Sequence, residues 1–192
     1  MKTVLFNKNF NGNVLLSRAP KSVKNHCVST IIREALKAEK SILWISSEEV
    51  FDYIEKIRDE LSSSPELFVG KAYCIRTKNY VLEDSDITQI FHNIEQNGIY
   101  PDIMFISDVS FGDYMRTAKM TELFRKFCRN HNIYLVYSVQ SSSFEDIPKT
   151  MLYSADFSYQ IGADDADIDF EGFEMREFKK HPVKADIFLD AR

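Results

Sequence analysis

Short runs of apolar and β-branched residues alternate with stretches of helical spacing along most of this chain, and that alternation restricts the fold more than any single motif does. The predicted strands span residues 13–17, 41–46, 71–77, 103–106 and 133–139. The last two are almost continuously apolar, which is typical of strands buried on both faces of a parallel sheet. The βαβαβαβαβ order predicts an α/β fold in which helices cover a mostly parallel central sheet through right-handed crossovers.

Helical spacing marks the segments between these strands. The first helix carries one apolar stripe, formed by Val28, Ile31, Ile32, Ala35 and Leu36. A later helix is predicted to have Asp84 or Ser85 as its N-cap and to stop at Gly98, because glycine commonly ends helices. The long helix after residue 108 is predicted to turn Met120, Leu123, Phe124, Phe127 and Cys128 toward the core.

The pattern changes after Ser154, where strands alone are predicted, at residues 155–161, 173–178 and 184–189. Such a succession is typical of an antiparallel β-meander, which would extend the C-terminal side of the sheet. The chain has 192 residues, of which 44% are hydrophobic, and a single core can reach this size before it splits. One domain spanning residues 1–192 is therefore expected.

Charge and cysteine content argue against several classes of protein. A net charge of −5 gives no overall attraction to nucleic acid or to anionic lipid. The three cysteines are widely spaced and lack the CxxC or Cys/His spacing of a metal site. The sequence carries neither a signal-peptide pattern nor an apolar run of membrane-spanning length, so we expect a cytoplasmic protein without a membrane partner.

Ligands of parallel α/β sheets bind beyond the carboxyl ends of the strands. The segments that follow the predicted strands are therefore the candidate site. They contribute residues 18–25, residues 47–49, Asp108 and Gln140.

These segments, in this order, resemble the RecA-like core of DnaB-type replicative helicases and RecA recombinases, within the P-loop NTPase superfamily. Residues 17–25 stand where that family has its Walker A loop, and residues 102–108 resemble Walker B. Residues 44–48 resemble the strand that ends in the water-activating glutamate, and residues 136–141 the strand that ends in the nucleotide-sensing glutamine. The resemblance covers residues 14–189 and implies a RecA-like three-layer sandwich.

The Walker A segment departs from the family pattern GxxxxGK[ST]. Arg18 and Val23 occupy the two glycine positions, Asn25 occupies the Ser/Thr position, and Lys24 alone is retained. Glycine lets the backbone adopt the phosphate-cradling conformation and lets the phosphate approach closely, whereas a β-branched valine resists both. This Walker A loop is therefore degenerate, and a pseudo-ATPase is expected.

The resemblance assigns roles that depend on whether nucleotide binds at all. Lys24 and Asn25 take the cofactor-binding positions, and Glu48, Asp108 and Gln140 take the catalytic positions of general base, Mg²⁺ partner and sensor. No cofactor is expected unless the degenerate site is still competent for ATP and Mg²⁺. No metal site is expected outside it.

The long helix also offers a basic surface, made of Arg116, Lys119, Arg125, Lys126 and Arg129. Phosphate contacts need such side chains, so these residues are candidates for nucleic-acid binding. The loop at residues 141–149, which lines the DNA channel in the resembled helicases, is net acidic here.

Three functions follow from these observations. The first is a non-hydrolysing accessory protein of DNA replication or recombination that binds another protein, such as a helicase, a recombinase or a second copy of itself. The second is a divergent ATPase subunit that retains the chemistry of Lys24, Glu48 and Asp108. The third is a nucleic-acid-binding module.

Overall fold

The computed structural model describes residues 2–4, 13–18, 32–33, 35–36, 39–48, 54–55, 71–107, 109–110, 112–140, 147, 149–155, 157–163, 168–176 and 179–186. Nine strands are present in that part of the chain: β1 (Lys2–Val4), β2 (Asn13–Arg18), β3 (Ile42–Ser46), β4 (Ala72–Arg76), β5 (Ile103–Ser107), β6 (Tyr134–Gln140), β7 (Phe157–Ala163), β8 (Ile168–Arg176) and β9 (Lys179–Asp186). The helices with described bounds are α1 (Asp84–Asn97), α2 (Tyr114–Asn130) and α3 (Lys149–Ser154). Residues 32–33, 35–36 and 54–55 are also helical.

The strands form one sheet in the order β1-β9-β8-β7-β2-β6-β5-β3-β4. Six neighbouring strands pair in parallel, in the order β7-β2-β6-β5-β3-β4. Strand β8 pairs antiparallel with β7 and with β9, and β1 pairs in parallel with β9. The α/β prediction, parallel strands with helices packed against them, is confirmed.

The two faces of the parallel strands carry different cores because side chains alternate along each strand. On one face, Leu43, Met104 and Leu135 join a buried cluster with residues of α1 and α2. On the other face, Ile42, Trp44 and Phe105 are buried but do not belong to that cluster. Right-handed crossovers place the helical residues between β2 and β3 on this second face, and Ile32, Ala35 and Leu36 there are almost fully buried.

Helix α1 begins one residue earlier than predicted, with Glu83 rather than Asp84 or Ser85 as its N-cap. The reason is local, since the Glu83 N–H donates to Asp86 Oδ2 at 2.8 Å and so holds the first turn. Its predicted end is confirmed. Gly98 has a φ of 61°, and its N–H donates to Glu95 O.

Helix α2 packs most of its predicted stripe inward, and Met120, Phe124, Phe127 and Cys128 are buried. The prediction for Leu123 was wrong, because this side chain is 38% exposed. At about 100° of rotation per residue, Leu123 lies a quarter-turn or more from Phe124 and falls outside the buried arc. The N-cap is Asp113, whose Oδ1 accepts from Arg116 N at 2.9 Å.

The C-terminal strands lie at other residues than predicted. Strand β8 starts at Ile168 rather than 173, because apolar and acidic residues alternate with period two from Ile168 to Glu171. Strand β9 begins at Lys179, which pairs with Arg176. Strand β1 was not predicted, since three residues are too few to show a period.

Every helix within the described residues is too short or too polar to cross a lipid bilayer.

Candidate functional site

The candidate site is the edge of the sheet where the parallel strands end. Strand β2 lies between β6 and β7, and its last residue, Arg18, is in register with Gln140 at the end of β6. Two residues before Gln140 on β6, Ser138 is opposite Ser107 of β5, and Ser107 is opposite Ser46 of β3. The predicted site segments therefore do follow neighbouring strand ends.

The predicted site residues are placed unequally. Gln140 is the last residue of β6, the strand next to β2. Glu48 lies two residues beyond the end of β3 and its side chain is exposed. At about 4.8 Å per strand, the ends of β2 and β3 are roughly 14 Å apart across the sheet. Lys24, Asn25 and Asp108 lie outside the described residues, although Asp108 immediately follows the last residue of β5.

A row of buried serines, which sequence reasoning missed, runs beneath this edge. Ser46, Ser107 and Ser138 are 0%, 0% and 6% exposed and occupy one register row on three adjacent strands. Ser107 Oγ accepts a buried hydrogen bond from Trp44 Nε1 at 2.9 Å. The sequence signal was available, since each of these strands has a serine after at least two apolar residues, but only the register shows that the three meet.

Glu48 is held in place through its main chain. Its N–H donates to Ser46 Oγ at 3.1 Å, and the Ser46 carbonyl accepts from Thr77 N at 2.9 Å. Because Ser46 is fully buried and anchored to the segment after β4, the turn that presents Glu48 is fixed relative to the sheet. The side chain of Glu48 is exposed at this edge.

The segments that follow β4 and β5 meet beyond the end of β3, which separates those two strands. Val81 and Ser110 form a parallel bridge, in which Leu82 N donates to Ser110 O at 2.8 Å and Ser110 N to Tyr80 O at 2.7 Å. Three apolar side chains near this junction are exposed: Tyr80 at 61%, Val81 at 40% and Met115, in the first turn of α2, at 76%. The segments beyond the carboxyl ends of β4 and β5 therefore expose apolar side chains.

The candidate nucleic-acid-binding residues of α2 divide into two groups. Three make contacts within the molecule: Arg116 Nη2 donates to Leu82 O at 3.1 Å, Lys119 bonds Asp84 of α1, and Arg125 Nε donates to Glu122 Oε2 at 2.8 Å. The hydrogen bond from Lys119 holds the pKa of Asp84 below its ordinary value. Lys126 and Arg129 are exposed and form no ion pair with another described residue.

The opposite edge of the sheet is organised by Asp102, at the amino end of β5. Its Oδ2 accepts from Ser41 N and from Ser41 Oγ, both at 2.8 Å, and its Oδ1 accepts from Lys40 Nζ at 3.0 Å. Partial burial alone would raise the pKa of Asp102, but these hydrogen bonds outweigh it and the pKa is lowered. Asp102 thereby joins β5 to the start of β3 and lies away from the candidate site.

The thiols and carboxylates of the described residues do not converge. No group of three or more His, Cys, Asp or Glu side chains in that part of the chain is arranged to hold a metal ion. Burial raises the pKa of the Cys128 thiol, which lies 3.8 Å from Met104 Sδ in the core. Cys128 is therefore a packing residue.

Comparison with known proteins adds no assignment. The sequence matches no model of a known protein family, and a search of curated proteins finds no significant match.

Proposed function

We propose that this chain is a single RecA-like domain, a three-layer sandwich with a C-terminal antiparallel meander, that has lost ATP hydrolysis. In this proposal it serves DNA replication or recombination as an accessory protein that binds another protein. The observation that carries the proposal is the register of Arg18 with Gln140 at the end of the central strand. The resembled family binds its nucleotide at the corresponding edge, whereas the sequence beyond β2 here lacks the glycines that such a site needs.

The strand order supports a ligand-binding crevice at this edge. From β2 the chain continues to β3 on one side, and after β6 it passes to β7 on the other side. In open α/β sheets the carboxyl edge beside such a reversal is the usual ligand position. A loop with Arg18 and Val23 in place of glycine opposes close approach of phosphate to its backbone.

Exposed apolar side chains at the same edge support protein binding. Tyr80, Val81 and Met115 expose from 40% to 76% of their surface. Exposed large apolar side chains that lie together on a surface are typical of protein contacts, and these three belong to the segments that follow β4 and β5. The partner we propose is a helicase or recombinase with a RecA-like fold, or a second copy of the chain.

A divergent ATPase is the second candidate, and the geometry of Glu48 favours it. Its carboxylate is exposed at the carboxyl edge, and its backbone is held by Ser46 Oγ at 3.1 Å. A general base has to be presented in this way. A neighbouring subunit would then complete the site.

Mixing the purified chain with the replicative helicase and the RecA-type recombinase of the same cell separates these candidates. The accessory role predicts a stable complex with one of them by light scattering, a changed ATPase rate of that partner, and no ATPase of the chain alone. Met115→Asp should abolish the complex because it places a charge on the apolar surface. Leu123→Asp, on the same helix and also exposed, is the matched control and should leave it intact.

Two outcomes would reject the accessory role. One is ATP hydrolysis by the chain alone that disappears in Glu48→Gln. The other is the absence of a complex with either protein together with no self-association. Charge reversal at Lys126 and Arg129 should leave the complex unchanged, and loss of retention on single-stranded DNA in that variant would favour a nucleic-acid-binding module instead.

A further inference from the structure

The turn that ends α1 joins an exposed asparagine to an exposed glycine. Asn97 is the last residue of α1, and Gly98 follows it with a φ of 61°. Both residues are exposed, and a Cβ added at Gly98 would meet no atom within 4 Å. Every other asparagine among the described residues precedes a residue that carries a side chain. The Asn97–Gly98 pair is therefore both distinctive in this part of the chain and open to water.

An asparagine side chain reacts with the main-chain nitrogen that follows it when the two groups meet. The nitrogen attacks the side-chain amide carbon, ammonia leaves, and a cyclic imide forms. Water then opens the imide at either carbonyl and yields aspartate or isoaspartate, in which the main chain runs through the former side chain. A Cβ on the following residue hinders the attack, whereas glycine leaves its nitrogen accessible. Asn97 and Gly98 are thus the residue types that this reaction favours.

The folded turn keeps the two reacting groups occupied. The Gly98 N–H donates to Glu95 O at 3.1 Å. Asn97 Nδ2 donates to Asn93 O at 2.7 Å, so the side-chain amide is held against the preceding turn of α1. Both hydrogen bonds have to open before the Gly98 nitrogen reaches the amide carbon of Asn97. The ends of helices open at little cost in free energy, because few hydrogen bonds hold them.

Contacts just beyond the turn limit how often it opens. The Tyr100 ring stacks on the ring of His131, the C-cap residue of α2, with 4.5 Å between centroids. Ile99 N donates to Ile94 O at 3.2 Å, and Ile94 is buried in the core. The stack with α2 therefore restrains the chain two residues after Gly98, and its loss should let the last turn of α1 open more often.

We propose that Asn97 is a site of spontaneous deamidation whose rate is set by opening of the last turn of α1. The reaction consumes water, releases ammonia and needs no enzyme. Either product places a carboxylate at the C-terminus of α1, where the carbonyl groups already carry partial negative charge. It also removes the donor to Asn93 O, so modified chains should hold Tyr100 against His131 less often. This inference goes beyond the proposed function and does not rest on it, because it involves neither nucleotide nor a partner.

Peptide mapping by mass spectrometry measures the conversion during prolonged incubation in warm, mildly alkaline buffer. The samples are the native chain, the native chain unfolded in guanidinium chloride, and folded Tyr100→Ala, whose fold is checked by circular dichroism. We expect conversion at Asn97 to be slowest in the native chain, about two- to tenfold faster in Tyr100→Ala, as loss of one aromatic contact allows, and fastest in the unfolded chain. Asn132, which follows α2 but precedes Ile133, is the internal control and should convert later than Asn97 in every sample.

Gly98→Ala separates the chemistry from the opening of the turn. The added methyl group meets no atom within 4 Å, and it should slow conversion at Asn97 even in the unfolded chain, where no turn has to open. Two results would overturn the proposal. One is an Asn97 that stays intact in the native chain while the unfolded chain converts there. The other is an equal rate in the native chain, in Tyr100→Ala and in the unfolded chain, which would show that the last turn of α1 has no control over the reaction.

Discussion

Replacing Phe124 by alanine should lower the free energy of unfolding by about 3–5 kcal/mol, as expected for a fully buried aromatic side chain. Phe124 has no exposed surface, and its ring makes edge-to-face contacts with Phe91 at 5.1 Å and with Tyr137 at 6.5 Å between centroids. The truncation leaves a cavity between α2, α1 and β6 that these rigid neighbours cannot fill. Urea denaturation followed by circular dichroism measures the loss.

Leu123→Ala is the matched control for Phe124→Ala, because it changes the adjacent residue of the same helix. Leu123 is 38% exposed, so its truncation should cost about 1 kcal/mol or less. If the two variants lose equal stability, the packing of α2 described above is incorrect. Phe124→Leu, which keeps most of the volume, should fall between them and guards against a variant that does not fold.

Removing the Asp102 side chain should cost about 2 kcal/mol at neutral pH, the second large effect. Asp102→Ala deletes acceptors for Ser41 N, Ser41 Oγ and Lys40 Nζ, and hydrogen bonds to a charged group are each worth about 1.5–3 kcal/mol. The Asp102 side chain is 42% exposed, so solvent screens the Lys40 contribution and the sum stays at the lower end.

The pH dependence of this loss has a definite sign. Because the pKa of Asp102 is lowered in the folded state from an ordinary value of 3.8, the carboxylate stabilises the fold above that value, and this stability is lost as the pH falls through the folded pKa. The difference between the native chain and Asp102→Ala should be constant from about pH 7 to pH 5 and shrink below about pH 4. Asp84→Ala, which removes the exposed pair with Lys119, should cost far less. A difference that grows on acidification would contradict the network.

The central strands could be predicted from sequence because nearly all of their residues are apolar, as burial on both faces of a sheet requires. Residues 103–106 and 133–139 are almost wholly apolar, and both form strands within the parallel sheet. The exposure of Leu123 could not be predicted, because a stripe of apolar residues does not fix how wide an arc of α2 the neighbouring elements cover. Strand β8 was predicted five residues late because Asp169 and Glu171 interrupt its apolar residues, so the segment lacks a continuous apolar run.

For the candidate site, the sequence predicted only which residues follow which strands, and not how their side chains are arranged. The positions of Glu48 and Gln140 follow from the strands that precede them. The serine row requires the register between β3, β5 and β6, which no local pattern contains. Likewise, the contacts of Arg116 with Leu82 and of Lys119 with Asp84 arise from the packing of α2 beside α1. Their sequence spacing suggested only a basic helix face.

Titration calorimetry with Mg-ATP tests most directly our proposal that this chain has a RecA-like site that no longer binds nucleotide. Three proteins are compared: the native chain, Lys24→Ala, and a variant that restores the loop through Arg18→Gly, Val23→Gly and Asn25→Thr. We predict no micromolar binding to the native chain or to Lys24→Ala, and binding to the restored variant alone. Micromolar binding to the native chain that disappears in Lys24→Ala would contradict the loss of function, and no binding to the restored variant would contradict the P-loop geometry.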